Sequence, residues 1–138
     1  MKIPGLSNYT LRVIAESADG TLWLGTEEQG MIAYQPSNHS IKIYRHELKN
    51  SNSLGSDLVR AIIVDQKNNL WIGSVNGGLD HFNPQTNTFK NYQNEPGNAS
   101  SLSQRTVSAL FQDKQDNLWV GTHRGGINLY TPGSKIII

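Results

Sequence analysis

The side chains of this chain best suited to chemistry are eleven carboxylates and four histidines. Cleaving a glycosidic bond takes two carboxylates flanking one sugar ring. The stock for such a pair is Glu16, Glu27, Glu28, Glu47 and Glu95 with Asp19, Asp57, Asp65, Asp80, Asp113 and Asp116. No spacing among them singles out an acid and a partner base. Asp65 and Asp113 share one position of a repeated pattern, at a strand end where a carboxylate accepts turn N–H groups. Asp19 and Asp116 read the same way, and Glu27-Glu28 falls in a hairpin loop. His39, His46, His81 and His123 show neither His-x-His nor His-Glu-x-x-His spacing, so no metal site is expected. Without cysteine, thiolate metal sites and disulfides are excluded. Gly25, Gly73 and Gly121 lack the Gly-x-Gly spacing ahead of a helix that a phosphate loop needs. The chain reads as non-catalytic, with no cofactor.

Charge narrows the partners. Twelve Lys and Arg balance eleven Asp and Glu, with no basic run, so no footprint for nucleic acid is present. The start, MKIPGLSNYT, lacks the apolar core of a signal peptide. No apolar run approaches the ~20 residues that span a bilayer, so the chain is not expected to insert into a membrane.

The elements that must position any site come from a repeat. Trp23, Trp71 and Trp119 stand 48 residues apart. The same offset aligns Gly25, Gly73 and Gly121; Gly30, Gly78 and Gly126; Tyr34, Phe82 and Tyr130; Pro36, Pro84 and Pro132; and Tyr44 with Tyr92. LRVIAES, VRAIIVD and VSALFQD align upstream without a gap, and NSLGSD and SSLSQR fill the longer connections.

Each copy holds four candidate strands. The first is Leu11–Ser17, Val59–Asp65 or Val107–Asp113, apolar enough to be covered on both faces. A tight turn follows at Asp19-Gly20, Asn68-Asn69 or Asp116-Asn117, suited to the two positive φ values of a type I′ hairpin. The second strand is TLWLGT, NLWIGS or NLWVGT, and the third runs through MIAY, LDHF or INLY. SIKIYRH, TFKNYQN and the terminal SKIII form the fourth. Four short antiparallel strands at this period are propeller blades. The expected fold is all-β: one β-propeller segment over 1–138, with three blades of four antiparallel strands at about 11–45, 59–93 and 107–138. Stacked blades bury Trp23, Trp71 and Trp119 with Tyr34, Phe82 and Tyr130 as structural core.

LRVIAESADGTLWLGTEEQGMIAY and its two copies resemble the two-component regulator propeller repeat: a hydrophobic strand ending in Asp, a turn, a Trp-Gly-Thr strand, then Gly-Leu. Ser17 stands in place of the Asp, Ser74 in place of the Thr, and Gln29 interrupts the double glycine. The resemblance implies the periplasmic sensor region of a bacterial hybrid histidine kinase, responding to a glycan-derived signal and working as a dimer across the inner membrane. None of the kinase itself is visible in this chain. Streptogramin-inactivating propeller lyases also carry Gly-x-x-Trp repeats, with a metal and a catalytic histidine, and a structural interaction scaffold is a further reading.

In propellers generally, the turns between second and third strands and the connections between blades open on one rim around a central funnel. By that analogy His123, Arg124, Arg105, Asn76, Glu27, Glu28, Gln29 and Asp57 face a ligand, an oligosaccharide if the resemblance holds. Positions where the copies agree serve the fold, and positions where they differ are free to specialise. Arginine donors suit the carboxylates or sulfates of acidic sugars, and ordinary loop variation accounts for the same positions. Three blades fall short of the four to eight that close a ring. Two chains joined head to tail would complete six, so a homodimer is expected.

Overall fold

The computed structural model describes residues 1–131. Among them are eleven strands and no helix. The first sheet holds β1 (Leu11–Glu16), β2 (Leu22–Thr26), β3 (Met31–Gln35) and β4 (Ser40–Tyr44). The second holds β5 (Val59–Val64), β6 (Leu70–Ser74), β7 (Gly78–Asn83) and β8 (Thr88–Tyr92), and the third β9 (Val107–Gln112), β10 (Leu118–Thr122) and β11 (Gly126–Tyr130). Each sheet is an antiparallel meander in chain order. These are the blades the repeat predicts, although SKIII, read as the last strand, lies outside the described residues along with Pro132.

Register repeats with the sequence. Trp23 sits opposite Ala15 and Ala33, Trp71 opposite Ile63 and His81, and Trp119 opposite Phe111 and Leu129. The first pairing of every blade skips one residue, leaving Arg12, Arg60 and Ser108 outside the ladder as a β-bulge. A bulge bends its strand and re-aims the extra side chain. The first strands are neighbours from blade to blade, with β5 between β1 and β9, so they form the inner layer of the arc.

The first hairpin turn differs from the type I′ expectation. Gly20, Asn68 and Asp116 alone have positive φ there, at 87°, 60° and 67°. Their N–H groups donate to the carbonyls of Ser17, Asp65 and Asp113 at 2.9, 3.0 and 3.1 Å. This is a three-residue loop, a type I turn closed by one left-handed residue. The strand-end carboxylate selects it: Asp65 Oδ1 accepts the N–H groups of Lys67 and Asn69, and Asp113 Oδ1 those of Gln115 and Asn117. Where Ser17 replaces Asp, Asp19 takes over by accepting from the Thr21 N–H and the Ser17 hydroxyl. Ser17 Oγ then accepts the Trp23 indole N–H at 3.1 Å, as Asp113 Oδ2 accepts that of Trp119 at 2.9 Å.

Blades pack by a knob and a socket. A Cβ on Gly25 would lie 2.7 Å from Val59 Cγ1, and one on Gly73 would lie 2.5 Å from Val107 Cγ1. At Gly73 a valine of the next blade fills the space, and at Gly25 Val59 of the next blade shares it with Val13 of the same blade, whose Cγ1 would lie 2.5 Å away. Around the first junction Trp23, Met31, Leu54, Ile62, Ile72 and Phe82 form one cluster; around the second, Trp71, Leu79, Leu102, Leu118 and Val120 form another. A third cluster lies on the outer side of blade 1, where Leu24, Ile32 and Tyr34 are covered by Ile3, Leu6 and Tyr9 of the N-terminal segment. Coverage of the first strand on both faces holds for β5 but not for β1 or β9, which border on no blade on one side. Trp23 and Trp71 are buried, and Trp119 is half-buried for the same reason.

Candidate functional site

The rim is assembled by backbone bonds between blades. The turn from second to third strand in one blade meets the connection that enters the next. Gly30 N donates to Asp57 O, and Gly78 N donates to Arg105 O, both at 2.8 Å. Within each blade the connection also clasps its own turn: Glu27 N to Thr10 O, Val75 N to Leu58 O, and His123 N to Thr106 O. Asn76 N adds a bond to Thr106 Oγ1 at 3.0 Å. All eight sequence candidates therefore lie on one rim, strung along three successive blades.

They do not form one group. Glu27 is the electrostatic centre of the first part. Its carboxylate lies 2.9 Å from Arg12 Nη1 and 3.7 Å from Arg60 Nη2, and its carbonyl accepts from Arg60 Nη1 at 3.1 Å. Arg60 Nη1 also reaches the Val59 carbonyl at 3.0 Å, which holds the half-buried guanidinium in place. Asp57 is turned the other way: it accepts the His46 N–H at 2.7 Å and Arg45 Nη2 at 3.3 Å, and so serves its own loop. Gln29 is held through its N–H on Thr26 Oγ1, while Glu28 is exposed. In the second part Asn76 and Arg124 take left-handed φ values of 58° and 60°, and Asn76, Arg105, His123 and Arg124 are all exposed. Among the described residues Arg105 and Arg124 have no carboxylate partner, so this stretch carries free positive charge.

Arg12 and Arg60 were missed by reasoning from loops, because they belong to strands. The signal was nonetheless in the sequence. They occupy one position of the repeat, the bulged one, and break the apolar run of VRAIIVD and LRVIAES with a cation.

Beneath the rim lies a third residue that spacing did not single out. Asp80 is fully buried in β7 and accepts the Gly55 N–H and Asn91 Nδ2, each at 2.8 Å. Asn91 Nδ2 also donates to Gly77 O in the turn above, at 2.8 Å. Burial pushes the Asp80 carboxyl up to about 6, against the hydrogen bonds from Asn91 and Gly55. Blade 3 builds the same support with a neutral group, Asn128, whose Oδ1 accepts the Ser103 N–H at 3.1 Å. Blade 1 has Ile32 there and no polar support.

The opposite rim, formed by the first hairpin turns, carries a groove of about 390 Å³ between blades 2 and 3. Asp65, Lys67, Trp71, Gln112, Asp116 and Tyr130 line it, and none of the eight candidates does. Trp71 is buried, stacked on His81 at 4.1 Å and with the Tyr130 ring tilted against it at 5.4 Å, so little of its indole is open to the groove. The other histidines have local roles as well: His46 Nδ1 is 2.7 Å from Leu54 O, and His39 Nδ1 is 2.7 Å from the Tyr34 hydroxyl. Among the described residues no three His, Asp or Glu side chains gather as metal ligands.

Meander sheets joined through inner first strands define a β-propeller arc. Residues 5–28, 53–76 and 101–124 match the family model described as two component regulator propeller. The chain belongs to that family. It is similar in structure to the extracellular domain of a hybrid two-component system from B. thetaiotaomicron, with a TM-score of 0.80 at 17% identity over 97% of this chain. A second such domain from the same organism has a TM-score of 0.74 at 26% identity over 93%. This chain spans only 19% and 16% of those two. A virginiamycin B lyase from Staphylococcus aureus shares the fold at a TM-score of 0.59 and 17% identity, over 90% of this chain and 42% of the lyase. A search of curated proteins finds no match.

Proposed function

We propose that this chain is a non-catalytic part of the extracytoplasmic sensor of a two-component receptor, and that its rim meets a glycan-derived ligand. Membership of the regulator propeller family and the likeness to extracellular domains of two-component systems support the sensor role. The observation that carries the site is the contrast between columns. Trp, Gly and Tyr/Phe positions agree in all three blades, while the rim positions Glu27, Val75 and His123, or Asp57 and Arg105, differ in charge and size. The Arg12–Glu27–Arg60 cluster adds charged donors fixed across a blade junction, and fixed guanidinium donors suit the hydroxyl and carboxylate oxygens of sugars.

The test is a thermal-shift screen with neutral and acidic oligosaccharides, followed by titration calorimetry. A ligand selective for the folded chain raises Tm in proportion to its concentration over Kd. An Arg60→Ala chain that remains folded should lose at least tenfold in affinity. A panel without any shift would leave the scaffold reading in its place. The lyase reading has the shared fold behind it but no ligand set among the described residues.

A further inference from the structure

Blade 2, which has a blade on either side, buries a charge that the fold does not call for. Asp80 stands in a column filled by Ile32 in blade 1, and the isoleucine is buried as fully as the aspartate. The residue opposite Asp80 in the ladder is Asn91, and the residue opposite Ile32 is Ile43. An apolar pair therefore serves this position, whereas a carboxylate there bears the cost of leaving water. No Lys or Arg among the described residues pairs with it.

Both oxygens of Asp80 face donors. Oδ2 accepts the Gly55 N–H and Oδ1 accepts Asn91 Nδ2, each at 2.8 Å. Asn91 Nδ2 also donates to Gly77 O at 2.8 Å, while Gln93 Nε2 donates to Gly77 O at 3.0 Å and to Asn91 Oδ1. This set is complete only when Asp80 is ionised. A neutral carboxyl carries an O–H donor, and that donor would point at another one. Turning the Asn91 amide over presents its oxygen to the new proton. The turned Nδ2 then meets Gln93, whose amide must turn as well to accept from it. Gly77 O is left facing two oxygens where it had two donors.

The turn at 75–78 depends on those two donors more than its counterparts do. Thr26 and Thr122 brace the equivalent turns with hydroxyl bonds to Gly30 O and Gly126 O, whereas Ser74 Oγ is buried without a partner. Gly77 is buried and packed on the connection so closely that a Cβ on Gly55 would collide with its carbonyl. A buried carbonyl stripped of its donors is costly, so the turn has to move. Its neighbours carry the bonds to blade 3: Asn76 N to Thr106 Oγ1 and Gly78 N to Arg105 O.

We propose that Asp80, Asn91 and Gln93 form a proton-driven latch, in which the charged carboxylate holds the 75–78 turn against blade 3 and protonation turns both amides and releases it. The latch moves Asn76 on the rim and stands independently of any ligand there. Burial already holds the Asp80 carboxyl at about 6. Of the groups around it, His46 in the connection acts on the carboxylate and favours its charged form. Arg45 and Asp57 of that connection pair with each other, Lys90 of β8 lies over Tyr92, His81 of β7 pairs with Asp65, and Arg105 is exposed. From β6 only Ile72 stands opposite. The neutral acid no longer bears the cost of a buried charge, so the turn loosens without weakening the sheet.

The test is a pH titration of the whole chain by amide NMR, with hydrogen exchange read residue by residue. The Gly55 and Gly77 amides and the side-chain amides of Asn91 and Gln93 should shift together, with one midpoint near the Asp80 value of about 6. Protection of the Asn76 and Gly78 amides should fall about tenfold or more below that midpoint, while the β6 amides keep theirs. Asp80→Asn brings a permanent donor to Asn91, so it should show the low-pH pattern at every pH. His46→Asn, which copies Asn94 of the next connection, should leave the transition in place. The wild-type titration decides the matter even if Asp80→Asn fails to fold. A Gly77 amide that stays fixed while Gly55 titrates, a transition that persists in Asp80→Asn, or one that disappears in His46→Asn would each overturn the latch.

Discussion

Gly73 and Gly121 occupy the same place in the same strand of successive blades, yet they live in different surroundings. A Cβ on Gly73 would meet Val107 Cγ1 at 2.5 Å and the Val107 carbonyl at 2.9 Å; on Gly121 it would meet one methyl group at 3.2 Å. Phe82 and Phe111, which stand in different columns of the repeat, show the same dependence on a neighbouring blade. One is fully buried in the junction of blades 1 and 2, edge-on to Trp23 and stacked on Phe89, and the other faces outward from blade 3. Sequence chemistry is alike in the two regions, so the difference lies in the neighbouring sheet. A blade's aromatic flank stabilises the fold only when another blade removes it from water.

Substitutions at covered and uncovered positions sharpen this contrast. The largest effect is expected at Phe82: Phe82→Ala should lower unfolding free energy by about 3–5 kcal/mol through lost burial and a cavity. Phe111→Ala should change it by less than about 0.5 kcal/mol, both read by urea unfolding. Equal losses at the two sites would abolish the distinction between covered and open faces.

Next comes pH. Burial raises the Asp80 carboxyl to about 6, above the ~3.9 of an unfolded chain. As pH falls through 6 the folded chain takes up a proton before the unfolded chain does, so stability should rise between about pH 6 and 4, by at most ~3 kcal/mol. At neutral pH the buried carboxylate is a liability. Asp80→Asn copies what Asn128 does in blade 3, so it should stabilise the chain at pH 7 and flatten that part of the profile. A wild-type profile that is already flat over this range would show that Asp80 is not the buried acid its surroundings imply.

Smaller again is Gly73→Ala, which should destabilise by about 1–3 kcal/mol as the β6 backbone is forced off Val107. Gly121→Ala should be nearly neutral. Smallest is the swap between connections. His46 Nδ1 pairs with the Leu54 carbonyl, and Asn94 Nδ2 donates to the matching Leu102 carbonyl at 2.6 Å. Asn94→His should therefore shift Tm by no more than a degree or two, in line with a change below ~0.5 kcal/mol.

Much of the fold was legible because a 48-residue period writes each strand and turn three times. The turn type was misread at Asp19-Gly20 and its copies because the deciding group is a side chain, the carboxylate of Asp65 or Asp113, rather than the turn pair itself. The rim was legible as a set of loops. Its chemistry was only partly so: Arg12, Glu27 and Arg60 are distant in sequence and meet across a junction, and Asp57 faces its own loop instead of the funnel.

By itself the sequence determined the blade: apolar strands, turn residues and the Trp, Gly and Tyr/Phe columns are local properties that recur wherever the 48-residue unit does. Only the tertiary structure decided which copies of a column are buried, which carboxylate is pushed toward neutrality, and which glycine is a filled socket. Burial, desolvation and close packing belong to the space between blades, and that space is set by what stands beside each sheet.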